Sequence, residues 1–126
     1  MKTPEDLSPD FSEWPQSWMG EKRDVPCGQG ILEAFRPFIQ SLLAAGLSVR
    51  TIKRHMDSLW LLGGEIIRDV TTNKDYERSS PLESLREAVG PDGGPYCRHL
   101  DSEAEMASFD ATCRKLHRFL LGDVVT

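Results

Sequence analysis

The sequence predicts an all-α fold, a compact bundle of about four helices with an N-terminal arm packed on it. Three observations point there. Apolar residues recur at three- and four-residue steps in long stretches, as on one face of a helix. No stretch alternates with period two for long enough to make a strand. The stripes are separated by capping residues, glycines and prolines. A chain of 126 residues is the size of one domain and can bury about two-thirds of its unfolded surface. With 39% hydrophobic and 28% charged residues it is expected to fold rather than remain disordered.

Residues 1–28 read as an arm, because Pro4, Pro9, Pro15 and Pro26 block a long helix there. The arm also holds Phe11, Trp14 and Trp18, rings expected to lie back over the helical body of residues 29–126. That body begins with the stripe Ile31, Leu32, Phe35, Phe38, Ile39, Leu42, Leu43. Pro37 interrupts it, so the helix either kinks there or starts near Arg36 with the proline in its first turn. Gly46 supplies the left-handed stop.

Ser48 is a candidate N-cap for a second helix from about Val49 to Val70. Its buried side is expected to carry Ile52, Met56, Leu59, Trp60, Ile66, Ile67 and Val70. Gly63 and Gly64 sit mid-helix, each costing about 1 kcal/mol against alanine. Because the periodicity resumes at Ile66, an unbroken helix with a closely packed neighbour is expected. A polar connection follows over 71–79. Ser80, Pro81 and Glu83 then open a short helix carrying Leu82, Leu85, Ala88 and Val89, which stops at Gly90. After the Gly90–Pro95 loop, a last helix from about Ser102 to Leu121 bears Met106, Phe109, Cys113, Leu116, Phe119 and Leu120 and is closed by Gly122.

Few chemistries fit. No nucleophile motif, P-loop or dinucleotide fingerprint is present, so no enzyme activity and no cofactor are expected. Cys97, His99, Cys113 and His117 include metal-ligating types, but their spacing matches no common zinc pattern and Cys113 lies on an apolar stripe. No metal site is expected. Three sparse cysteines make no disulfide framework, which points to a reducing, cytoplasmic setting. Acids at Glu5, Asp6, Asp10 and Glu13 are unlike a signal peptide, and no apolar run approaches the roughly 20 residues of a membrane span.

The informative stretch is Gly46 to His55, where Arg50, Lys53, Arg54 and His55 crowd the start of the second helix. A helix N-terminus carries partial positive charge and prefers acids. Cations there need either carboxylate partners elsewhere in the chain or an external anion such as phosphate.

The run Phe38–His55 resembles the start of the core-binding domain of tyrosine recombinases (phage integrases). In that family an apolar helix leads into Gly-Leu-Ser, a basic residue, Thr, an aliphatic residue and a basic pair. The last helix, with Arg114, Lys115, Leu116, His117, Arg118, Phe119 and Leu120, is similar to the one that closes the family's SAM-like bundle. The resemblance implies a module contacting double-stranded DNA, mainly its backbone, through Arg50, Thr51, Lys53, Arg54 and His55. His55 stands where the family often has tyrosine, Leu61–Val70 departs from the usual continuation, and the family's catalytic domain has no counterpart here. The expectation is a non-catalytic accessory or regulatory module. The net charge of −5 supports an alternative, an acidic helical module or inhibitor that binds a protein partner and has lost DNA binding.

Overall fold

The arm is itself helical and docked on the bundle. The computed structural model describes residues 2–73 and 80–122. Within them run α1 (Pro4–Leu7), a 3-10 turn (Phe11–Glu13), α2 (Trp14–Trp18), α3 (Asp24–Ala44), α4 (Val49–Asn73), α5 (Pro81–Ala88) and α6 (Glu103–Leu120). No strand occurs among the described residues, only an isolated bridge between Gly90 and Gly93. The all-α bundle expected from the periodicity is therefore the fold. No helix among these residues is long and apolar enough to cross a membrane.

Thr3 starts α1 with a capping box: its hydroxyl accepts from the Asp6 amide, and the Asp6 carboxylate accepts from the Thr3 amide at 2.8 Å. Phe11, Trp14 and Trp18 are buried, as expected of the arm. They form an aromatic run into α3, with centroid spacings of 4.7 Å, 6.0 Å and, from Trp18 to Phe35, 6.3 Å.

The arm ends sooner than the prolines imply. α3 begins at Asp24, so residues 24–28 belong to the bundle. Pro26 is no obstacle, because the first turn of a helix leaves its amides unbonded in any case. The buried Asp24 carboxylate accepts from the amides of Gly20 and Glu21 at 2.7 and 2.8 Å and from the Thr71 hydroxyl at 3.2 Å. One carboxylate thus fixes the turn before α3 and ties that turn to the far end of α4. α3 then continues unbroken past Pro37, which lies on the exposed side and starts nothing.

Gly46 closes α3 with φ +80°, a conformation glycine adopts without strain. The Leu47 amide donates to Leu42 O and the Gly46 amide to Leu43 O, a Schellman arrangement. α4 is unbroken through Gly63 and Gly64 and continues to Asn73; residues 74–79 of the predicted connection lie outside the described residues. Of the glycine pair, Gly63 makes room for Trp18. A methyl at Gly63 would overlap the indole ring, whose Nε1 donates to Trp60 O at 2.9 Å.

The core is continuous across α1–α6, centred on Phe35, Phe38, Ile39, Leu42, Ile52, Leu59, Leu62 and Leu116. Three residues of the apolar sets depart from expectation. Trp60 is 42% exposed, and Leu82 and Met106 are each 38% exposed. Trp60 lies two helical turns beyond Lys53, hence on the same solvent-facing side of α4, and its Nε1 donates to Ser17 Oγ at 3.0 Å. The arm partly shelters it, so its place is the rim of the core.

Candidate nucleic-acid interface

Ser48 begins α4 as the sequence suggests. Its hydroxyl accepts from the Thr51 amide at 3.2 Å and donates to Thr51 Oγ1 at 2.9 Å. Thr51 is half-buried and engaged in this cap. Arg50, Lys53 and Arg54 are exposed on the first two turns. The four ion pairs among the described residues join Arg23 to Glu21, Arg36 to Glu5 and Glu33, and Arg68 to Glu65. Among these residues Arg50, Lys53 and Arg54 have no carboxylate partner, so intramolecular pairing does not explain three cations at a helix N-terminus.

His55 leaves the set of surface contacts. It is 7% exposed, with Nδ1 lying 2.7 Å from Thr112 Oγ1 of α6. Burial, reinforced by nearby Arg54 and Lys115, pushes its pKa down to about 4, so the ring is neutral near pH 7. The signal was present in the sequence. His55 follows Ile52 by three and precedes Leu59 by four, which places it on the apolar stripe rather than with the cations.

The His55–Thr112 contact sets α6 against α4. Phe119, near the end of α6, stacks edgewise on Phe38 of α3 at 5.5 Å. The C-terminal half of α6 therefore runs from His55 of α4 toward Phe38 of α3. It brings Arg114 and Arg118, both exposed, and the half-buried Lys115. Arg114 Nη1 approaches Asp92 O at 3.5 Å. No acid occurs between Glu33 and Asp57, or between Asp110 and Asp123. Two acid-free stretches distant in sequence thus carry cations on α4 and α6, helices that meet at His55 and Thr112. The α6 cations also suit the negative end of their own helix dipole. Those of α4 do not.

Two other places could hold a ligand. A cleft of about 340 Å³ lies between α2 and α4, walled by Trp18, Met19, Trp60 and Leu61 with Arg68 and His99 at its edge. Another, near α5, is lined by Glu65, Asp69, Glu87 and Tyr96. Neither contains a residue assigned to the DNA-facing set. Cys97 and Cys113 are buried, and burial raises both thiols, Cys113 to about 12; His99 is exposed and His117 half-buried. Among the described residues no group of three or more His, Cys, Asp or Glu is placed to hold a metal.

Comparison with protein-family models, curated proteins and solved structures found no match, so the likeness to the recombinase core-binding domain rests on the residues quoted for it.

Proposed function

We propose that the basic start of α4 docks on the phosphate backbone of double-stranded DNA, and that the protein is a non-catalytic accessory or regulatory module of the integrase-like, mobile-element kind. The observation that carries this reading is the group Arg50, Lys53 and Arg54 on the first two turns of α4, exposed and without carboxylate partners among the described residues. Cations held at a helix N-terminus cost stability unless an anion answers them, and exposed amides of a first turn favour that same anion. Backbone contacts position a protein on a duplex but carry little sequence information, so base readout is limited. Three free cysteines suit a cytoplasmic, reducing setting.

Duplex affinity measured by fluorescence anisotropy at low salt tests the reading. Three to five neutralised phosphates correspond to a log–log salt slope of about −3 to −5. Arg50→Ala is expected to weaken binding severalfold and Arg54→Glu to weaken it more. No binding to any duplex at low salt, or an Arg54→Glu variant that binds like the wild type, sinks it.

A second reading has its own support. The net charge of −5 and the exposed Trp60 and Met19 beside the α2–α4 cleft suit a protein partner. In that case co-purification of a partner is lost on Trp60→Ala and unaffected by Arg54→Glu, the reverse of the DNA pattern.

A further inference from the structure

Packing accounts for Gly63 but not for Gly64. A Cβ at Gly63 would overlap the Trp18 ring, whereas one at Gly64 meets Trp18 Cδ1 at 3.5 Å, an ordinary contact. Alanine would therefore fit at Gly64 and would favour the helix. Gly64 instead lines the α2–α4 cleft, about one helical turn after Trp60 and one before Arg68. Its bare backbone lies between an indole and a guanidinium on one face of α4. Glycine is the residue that lets a bound molecule come close to the chain.

The surrounding groups define what such a molecule is. Trp60 and Met19 are 42% and 43% exposed, and Trp60 Nε1 is already bonded to Ser17 Oγ at 3.0 Å. What these two side chains offer is flat, polarisable apolar surface. Arg68 offers charge. Among the described residues its guanidinium has one ion pair, to Glu65 at 3.6 Å, which is longer than a hydrogen bond. That contact, with a residue three positions earlier, shows the guanidinium leaning back toward the turn of Gly64. Glu65 is the one acid among the described residues that line the cleft, and its side chain is 12% exposed against 40% for Arg68. The cation is therefore the more accessible charge. The volume of about 340 Å³ is near the lower end for small-molecule sites, about 300–1,000 Å³. We propose that the cleft binds a small planar aromatic carboxylate, its ring against Trp60 and over Gly64 and its carboxylate on the outward edge of Arg68. A guanidinium fork takes a carboxylate through two parallel hydrogen bonds. None of Arg50, Lys53 and Arg54 lines the cleft, so the inference does not depend on the DNA reading.

The test titrates the full chain by 15N NMR at neutral pH with three probes. Indole-3-acetate carries ring and carboxylate, tryptamine the same ring with the opposite charge, and acetate no ring. Saturable shifts of Trp60 Nε1–H and the Gly64 amide are expected with indole-3-acetate. Its affinity should exceed that of tryptamine by about tenfold or more, the value of a charge-assisted hydrogen bond, and acetate should not saturate. Arg68→Gln is expected to remove the preference for the carboxylate. Gly64→Ala should weaken indole-3-acetate severalfold while the thermal midpoint holds or rises, which separates a ligand role from a packing role. Tryptamine binding as tightly as indole-3-acetate overturns the inference, since Glu65 rather than Arg68 would then set the charge of the ligand. So does the lack of a saturable response to indole-3-acetate, or a Gly64→Ala chain that binds it like the wild type.

Discussion

The two ends of the bundle treat charge in opposite ways. Where the arm meets α3, charged groups have partners. Arg36 binds Glu5 at 2.8 Å, also reaches Glu33, and lies over the Phe11 ring at 5.3 Å. That contact holds Glu5 below the usual carboxylate range and raises Arg36. Asp24 is buried and accepts three hydrogen bonds. At the start of α4, Arg50, Lys53 and Arg54 sit against the helix dipole with no carboxylate answering them among the described residues. The first end uses its charges to fix the fold. The second keeps cations where the fold gains nothing from them, which is the pattern expected of a surface whose counter-charge comes from outside.

The sharpest way to break the contrast is at the structural end. Trp18→Ala removes the indole that fills the space over Gly63 and bonds Trp60 O. Thermal or denaturant unfolding should show a loss of about 3–5 kcal/mol, with the arm released. A loss under about 1 kcal/mol would mean that the arm is not an integral part of the core.

His55 comes next in size. Its pKa is about 4 in the folded chain against an ordinary value near 6.5, so the unfolded state binds the proton first as pH falls. Stability from this group is complete above about pH 6.5 and falls by about 3 kcal/mol as pH drops toward 4. His55→Gln should flatten the stability profile in that window. An unchanged slope would show that the ring is not held neutral.

Asp24→Asn takes the charge from three hydrogen bonds and turns one acceptor into a donor facing donors, for an expected loss of about 2 kcal/mol by chemical denaturation. A variant as stable as wild type would mean that the turn before α3 does not depend on this carboxylate.

The smallest stability effect belongs to the other end. Arg50→Glu replaces a cation with an acid in the first turn of α4 and should stabilise the fold by about 0.3–1 kcal/mol while abolishing the duplex affinity proposed for that turn. Opposite signs in the two measurements would separate function from folding at one residue. Destabilisation by more than about 1 kcal/mol would show that Arg50 is structural.

Much of this molecule follows from its sequence alone. Gly46, Ser48, Ser80 with Pro81, Ser102 and Gly122 act locally on backbone amides and carbonyls within a turn of themselves, so their roles as starts and stops could be read without tertiary information. The periodic stripes gave the core of α3 and α6 for the same reason, since burial of an amphipathic face depends on spacing. Other features depended on partners far along the chain. Trp60 is apolar yet stays 42% exposed, sheltered only in part by the arm, whose Ser17 Oγ accepts from its Nε1. The start of α3 moved to Asp24 because Thr71 and the turn at Gly20 bind its carboxylate. Spacing puts His55 on the apolar stripe, but its partner Thr112, 57 residues away, and the burial that keeps the ring neutral come from packing. The candidate surface divides in the same way. Charge at the head of α4 is local and visible in the sequence, whereas the packing of α6 against α4 at His55 and Thr112 is tertiary, which no short-range pattern specifies.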